Sequence, residues 1–303
     1  YNCGAYLGET LRSVLAQAPG PEEMQIAVLD DASTDAPEEV VQAVAGDRVE
    51  LVRHPRNLGQ GANLNECIRL ARGELVHILH GDDAVRPGFY AALEAPLVAD
   101  PALAAAFCRY IAIRPDSHWE TLAPLEAPAA GVLDDWLATL ALGQRLQTPC
   151  IAVRRSVYER IGGFDPGTDV LDWDMWVRVA AAGPVWYEPE ALALYRVRGG
   201  GVTESMVTSG SNVRGLRQVI ASNRALLPPD RADAITAAAL EDTALTALRR
   251  ARRLLYAGQT RAFRSQVREA LRTSRSPAVF ERLGELGLVW LRRRVKLLLR
   301  RGR

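Results

Sequence analysis

Asp30-Asp31 and Asp82-Asp83 are adjacent acid pairs, each placed directly after a short apolar run. Carboxylates that converge bind a hard divalent cation, which keeps some waters and takes phosphate oxygens as its remaining ligands. Such a cation offsets the charge on a leaving diphosphate. The same pairs can instead cap the helices that follow them. A third acid, Asp172, lies in Asp172-Trp173-Asp174-Met175-Trp176-Val177-Arg178. Its carboxylate is the right group to take a proton from an attacking hydroxyl. It can equally cap a helix whose Trp173, Trp176 and Val177 face the core. Arg198 stands in Leu194-Tyr195-Arg196-Val197-Arg198-Gly199-Gly200-Gly201. A guanidinium there can contact a diphosphate but cannot ligate a metal; a glycine loop leaving the domain is the alternative. His80, two residues before Asp82, reads as an incidental strand-end residue rather than a ligand.

The elements that must hold these groups follow from periodicity. Leu7, Leu11, Val14 and Leu15 predict a helix over residues 5–18. Ile26 to Leu29 reads as a buried strand that runs into Asp30-Asp31-Ala32-Ser33-Thr34-Asp35, a polar turn before a helix over 37–45. Strand 49–52, loop Asn57-Leu58-Gly59-Gln60-Gly61, helix 62–72 and strand 75–79 complete a βαβ rhythm. That rhythm predicts an α/β fold with a mixed, mainly parallel Rossmann-like sheet and helices on both faces. Both acid pairs then end strands of one sheet and line one crevice at its carboxyl edge, where such sheets place ligands. No G-x-G-x-x-G follows a strand and no Walker A motif occurs, so dinucleotide and P-loop readings lack their signatures. Further on, a strand is expected over 107–113, a helix over 132–142, a short strand over 150–153 and a helix within 168–182. Beyond about residue 210 the pattern is helical almost throughout.

Taken in order, these segments resemble the inverting family 2 glycosyltransferases of the GT-A fold. Tyr1-Asn2-Cys3-Gly4-Ala5-Tyr6-Leu7 is similar to the family's P-x-Y-N entry into a helix, and Leu29-Asp30-Asp31-Ala32-Ser33-Thr34-Asp35 to its V-D-D-G-S-T-D. Asn57-Leu58-Gly59 with the helix bearing Asn65 resembles the N-x-G loop and helix, and Gly81-Asp82-Asp83 the acidic metal motif. Gly162-Gly163-Phe164-Asp165 and Asp172 to Arg178 resemble G-G-F-D and E-D-W-D-L-W-x-R. The resemblance implies a nucleotide-sugar donor (a UDP-, GDP- or dTDP-sugar) and a glycan or lipid-linked acceptor. It implies donor contacts from Asn2, Asp30, Asp31, Gly59, Asn65, Asp82 and Arg198, with Asp31 favoured for the base. Asp83, with Asp82, would hold a divalent metal, Mg²⁺ or Mn²⁺, and Asp172 would be the general base. The chain departs from the pattern at Leu64, where a basic residue is common, at Arg198, where a histidine is usual, and at His80 in place of an aspartate. The resemblance also places a buried strand before Tyr1. The other readings are a nucleotidyltransferase, which would release pyrophosphate, and a non-catalytic nucleotide-sugar-binding module.

Charge divides the chain. Residues 241–303 hold 17 basic and 5 acidic residues, a net of +12, which leaves 20 basic and 31 acidic residues, a net of −11, in residues 1–240. The expected organisation is a catalytic domain over 1–205 and a basic helical region over 206–303. In residues 286–303, Leu288, Leu291, Val295 and Leu298 recur at helical spacing among Arg292, Arg293, Arg294, Lys296, Arg300, Arg301 and Arg303. That pattern fits a helix lying on an anionic membrane, or one packed on the body with a solvated basic face. Without a recognised fold or interleaved aromatics it does not suggest nucleic acid. Cys3, Cys67, Cys108 and Cys150 form no C-x-x-C pair, so neither a zinc site nor a disulfide framework is suggested. With no run of 18 apolar residues, the expected location is the cytoplasm, peripheral at the inner face of the membrane.

Overall fold

The computed structural model describes residues 1–168, 170–198 and 202–301, with side chains given outside 202–204 and 291–301. The Gly199-Gly200-Gly201 segment, Gly302 and Arg303 lie outside the described residues, as do the side chains of 291–301 in the expected membrane helix. The chain divides into two units. The first comprises residues 1–140, 144–167 and 171–198, and the second residues 141–143, 168–170 and 199–303.

In the first unit, α1 (Gly4–Leu15) buries Leu7, Leu11 and Val14 one to two turns apart, as the sequence pattern requires. Strand β1 (Ala27–Asp30), helix α2 (Pro37–Ala45) and strand β2 (Glu50–Arg53) follow, with β1 and β2 paired in parallel. Leu7 and Leu11 of α1 close a small core with Val41 and Val49, backed by Val28 and Leu51. Helix α3 (Gln60–Leu70), strand β3 (Leu75–His77), strand β4 (Ala84–Val85) and helix α4 (Phe89–Ala99) come next. Strands β5 (Ala105–Ile113), β6 (Trp119–Leu122) and β7 (Gly131–Val132) lead to helix α5 (Trp136–Leu142) and strand β8 (Ile151–Arg154). Helices α6 (Arg155–Ile161) and α7 (Leu171–Ala182) and strand β9 (Val185–Arg196) complete the unit.

Its second sheet has the order β3-β8-β5-β9-β4, with β6 beside β5 and β7 beside β9. The sheet is mixed: β9 runs parallel to β5, whereas β3–β8, β5–β8 and β4–β9 are antiparallel. Phe89, Leu93 and Leu97 of α4 cover it against Ala106, Cys108, Cys150, Leu192 and Ala193. The expected α/β class holds. One expectation needs correction: β1 and β3 do not share a sheet, because β1 pairs with β2 and β3 pairs with β8. Helix α1 holds the acid turn from the side instead. Thr10 Oγ1 donates to the carbonyl of Asp83 at 2.6 Å, the Val85 N–H donates to Ser13 Oγ at 3.2 Å, and Gln17 Nε2 donates to the carbonyl of Arg86 at 3.0 Å.

Strand β9 escaped the sequence pattern because Glu188-Pro189-Glu190 interrupts it. A proline lacks the N–H a ladder needs, so within sheets it sits at edges or bulges. Here the β5–β9 register shifts at Cys108/Arg109 and Arg109/Tyr110, beside Pro189, and the strand continues to Arg196. The irregularity lets β9 reach the acid turn.

The second unit is helical: α8 (Val202–Ser209), α9 (Ser211–Asn223), α10 (Ala232–Tyr256), α11 (Thr260–Thr273) and α12 (Pro277–Arg301). Ala244, Ala247, Leu248 and Ala251 of α10 pack with Ala270 of α11 and with Val279 and Leu286 of α12. Glu269 is buried there and offsets its charge with Arg214, Arg217 and Arg272 at 3.7, 3.4 and 3.0 Å. No helix among the described residues is long and apolar enough to cross a membrane.

Candidate active site

The first acid pair is committed to local structure. Asp30 is buried, accepts the Ser33 N–H on both oxygens at 3.1 Å and faces Arg53 Nε at 3.4 Å. Asp31, also buried, takes the Leu58 N–H on Oδ1 at 2.6 Å and the Gly59 N–H on Oδ2 at 3.0 Å. The carboxylate thus holds the Asn57-Leu58-Gly59 loop. Gly59 enters α3 at a φ of 86°, in the left-handed region that favours glycine. Asn2 closes the other side of the turn, donating its N–H to Ser33 Oγ and accepting the Thr34 N–H on Oδ1, both at 2.9 Å. Ala32, where the family pattern has glycine, adopts a φ of 60°.

Asn65 is a clamp between segments far apart in sequence. Its amide nitrogen donates to the carbonyl of Phe164 at 2.9 Å, and its oxygen accepts the Phe164 N–H at 2.6 Å. Gly163 is small for this reason: a β-carbon there would stand 2.1 Å from Asn65 Oδ1. Asp174 and Arg178 fix the same loop. They pair at 2.8 Å, and Arg178 donates to the carbonyls of Ile161 and Gly163 at 3.2 and 2.8 Å. Asn65, expected to touch the donor, spends its amide nitrogen and oxygen on the backbone of Phe164 in this structure.

The second acid pair is different. Asp83 is 1% exposed; its Oδ1 accepts the Arg196 N–H at 2.8 Å, while Oδ2 has no hydrogen-bond partner. His80 Nδ1 lies 3.6 Å from that oxygen, and its buried Nε2 is also without a partner. Asp82 Oδ2 meets Arg198 Nε at 2.7 Å. One ligand atom each from His80, Asp82 and Asp83 fall within 4.8 Å of one another. A buried carboxylate oxygen without a partner, within reach of an imidazole nitrogen and a second carboxylate, fits a divalent cation in chemistry and in spacing. His80, read from sequence as incidental, therefore belongs to the candidate ligand set.

Asp172, at the start of α7, accepts the Trp173 N–H on Oδ1 at 2.9 Å and the Gln144 amide on Oδ2 at 2.5 Å. Burial raises its pKa, and those two hydrogen bonds offset part of the rise. Burial likewise raises the pKa of Asp83, against the opposing effects of His80 and the Arg196 N–H. Burial lowers that of His80, but the adjacent Asp83 carboxylate and the charges of Asp82 and Asp172 outweigh burial and raise it overall. The phenol of Tyr195 is pushed up to about 12, by burial first and then by the charges of Asp83, Asp172 and Asp82. His80 and Tyr195 thus both feel Asp172 together with the acid turn, across 90 residues of sequence.

Two further residues escaped sequence reasoning. Arg196 is buried. Its guanidinium meets Glu9 at 2.7 Å, the carbonyl of Asp82 at 2.7 Å and the ring of Tyr6, 4.7 Å from the centroid. It braces the backbone of the acid turn. Gln144 follows α5 and carried no signal, since a lone glutamine in a loop matches no motif. Cys3 joins the two ends of the site: a β-carbon on Gly81 would stand 3.1 Å from Cys3 Cβ, and Arg198 reaches Cys3 Sγ at 3.7 Å.

The sequence model of Glycosyl transferase family 2 matches residues 1–162, more than half of the chain. A relative from Mycobacterium tuberculosis, Uncharacterized protein MT1568, is 26% identical over 243 residues, 73% of this chain and 72% of that protein. Among solved structures, the fold is similar to that of mannosyltransferase PcManGT from Pyrobaculum calidifontis, in complex with GDP-Man and Mn²⁺. That match has a TM-score of 0.59 at 19% identity and covers 96% of this chain and 78% of that one. The fold is also similar to S. aureus TarS 1–349 in complex with UDP-GlcNAc, with a TM-score of 0.65 at 16% identity, covering 89% and 88%. A mixed α/β sheet, a βα half that ends in two acid turns, and the match of the family over that half agree: the chain belongs to glycosyl transferase family 2 and has the GT-A fold.

Proposed function

We propose that this protein transfers a sugar from a nucleoside-diphosphate donor to a hydroxyl of a glycan or lipid-linked acceptor by one inverting displacement. The observation that carries this reading is Asp172. Its carboxylate, held by Gln144 at 2.5 Å at the start of α7, adds to the electrostatic environment of the same histidine and tyrosine as the acid turn does, which supports a base near a site suited to a diphosphate. Asp172 takes the proton of the acceptor hydroxyl as the oxygen attacks the anomeric carbon, and no enzyme nucleophile is needed. Gln144 holds Asp172 Oδ2, and Oδ1, which accepts the Trp173 N–H, keeps a lone pair for the acceptor proton.

Asp82 and Asp83, with His80, would hold a divalent cation, Mg²⁺ or Mn²⁺, which offsets the charge that develops on the leaving diphosphate. Arg198 adds a cation at the phosphates. Asn2, Asp30, Asp31 and Gly59 shape the turn and loop against which the nucleoside would rest, with Asp31 favoured for the base. The donor is a UDP-, GDP- or dTDP-sugar; GDP-Man and UDP-GlcNAc in the two structures of similar fold support this class. The basic residues of 286–303 support a peripheral contact with an anionic membrane surface, where a lipid-linked acceptor would be presented.

The test is Asp172→Asn. Transfer should fall by roughly 10² to 10⁴, with donor binding, followed by thermal shift, retained. Unchanged turnover would sink the assignment. Product analysis separates the reaction class, since glycosyl transfer releases a nucleoside diphosphate and nucleotidyl transfer releases pyrophosphate.

A further inference from the structure

In the second unit an open groove of about 270 Å³ runs between α11 and α12. Phe263 and Val267 form one wall, and Leu283, Leu286, Gly287 and Trp290 the other, so among the described residues no polar side chain lines it. On α11, Arg261, Arg264 and Arg268 are all exposed and recur at i, i+3 and i+7. That spacing puts them on one face, and Arg264 is a helical neighbour of Val267, at the rim of the groove. None of the three has an ion-pair partner among the described residues. Arg272 continues the stripe but is engaged by buried Glu269 at 3.0 Å. The acids of α12, Glu281 and Glu285, fall on the side of that helix opposite Leu283, Leu286 and Trp290 by their spacing. Trp290 and Leu288 are 40% and 59% exposed.

We infer that this groove is a lipid-binding site, which takes part of one acyl chain of an anionic membrane lipid while Arg261, Arg264 and Arg268 engage the headgroup phosphates. Charge complementarity argues for this occupant. An apolar slot with Arg264 at its rim, Arg261 and Arg268 farther round the same helix, and no acid in its lining matches an anionic amphiphile, and a tryptophan at the mouth suits the membrane–water boundary. The sequence after Trp290 adds seven Lys/Arg and no acid. The inference deepens the membrane reading of residues 286–303 and makes no use of the catalytic one.

The experiment is co-sedimentation of the full chain with vesicles of equimolar phosphatidylglycerol and phosphatidylcholine, against phosphatidylcholine alone, at low and high salt. The chain should bind the anionic vesicles and release with salt. Arg261→Ala, Arg264→Ala and Arg268→Ala together should weaken binding roughly tenfold or more. Gly287→Gln tests the groove itself. A β-carbon at Gly287 meets nothing within 4 Å, and glutamine favours helix over glycine, so the variant should fold while a polar chain fills the slot. It should abolish quenching of Trp290 fluorescence by brominated phosphatidylglycerol, read as the difference from Trp290→Phe. A reversal of Arg292, Arg293 and Arg294 to glutamate separates the two ideas. If only that variant fails to bind, the tail reading stands and the groove proposal is overturned. A chain that dimerises through the groove in sedimentation velocity, with vesicle binding unchanged by Gly287→Gln, also overturns it.

Discussion

Arg198 Nε and Asp82 Oδ2 stand 2.7 Å apart, so the guanidinium neutralises the carboxylate that a divalent cation would share. The pair is partly exposed, Arg198 at 38% and Asp82 at 14%, and a contact of this kind contributes modestly. Arg198→Ala should therefore tighten Mn²⁺ binding to the free enzyme by roughly two- to fivefold, read by electron paramagnetic resonance. It should also raise the donor KM, because the diphosphate loses a charge-assisted partner. Weaker Mn²⁺ binding in the variant would show that Arg198 organises the site rather than competing for it.

On the proposed mechanism, Gln144 should set the acid limb of the pH profile. A general base must be ionised, so the rate falls as pH drops through the pKa of Asp172, which burial has raised above the ordinary 3.8. The Gln144 amide favours the charged carboxylate and opposes that rise. Gln144→Leu should move the acid limb of kcat/KM to higher pH and lower kcat at neutral pH by roughly tenfold. A profile that keeps its acid limb while only KM changes would mean that Gln144 contacts substrate and does not tune Asp172.

In the proposed metal site, His80 should bias the choice of cation. Mg²⁺ takes oxygen ligands in near-ideal octahedral geometry, whereas Mn²⁺ accepts imidazole more readily. In direct titration Mn²⁺ should bind more tightly than Mg²⁺, and His80→Ala should cost roughly tenfold or more in Mn²⁺ affinity. His80→Asp should narrow the gap between the two ions. Equal Mn²⁺ affinity in His80→Ala would remove the histidine from the ligand set.

Gly163→Ala probes the clamp between α3 and the loop before α7. The new methyl would displace the Asn65 amide, which holds both polar groups of Phe164. The expected loss is about 1–3 kcal/mol, measured by urea unfolding with the slope unchanged. Asn65→Ala with Gly163→Ala should cost less than the sum of the two, since the clash needs the amide. Strict additivity would disconnect the two residues.

Local pattern alone determined the first βα half. The periodicity of Leu7, Leu11 and Val14 fixes the buried face of α1, and short apolar runs ending in polar turns mark β1 and β3, because side-chain spacing and turn chemistry act over a few residues. The order of the acid motifs also marked the family, and it singled out Asp82, Asp83 and Asp172. What no local pattern could set was which strands pair and which side chains meet. Strand β9 is hidden by Pro189 until β5 supplies a partner with a shifted register. His80 gains meaning only beside Asp83, and Gln144 only beside Asp172, 28 residues on. Asp31 and Asn65, read as donor contacts, are tied to backbone groups of Leu58, Gly59 and Phe164, because buried N–H and C=O groups must find partners. The sequence thus chose the chemical groups. Tertiary contact decided which of them hold backbone groups and which keep unpartnered atoms, since that depends on distances between segments that only packing brings together.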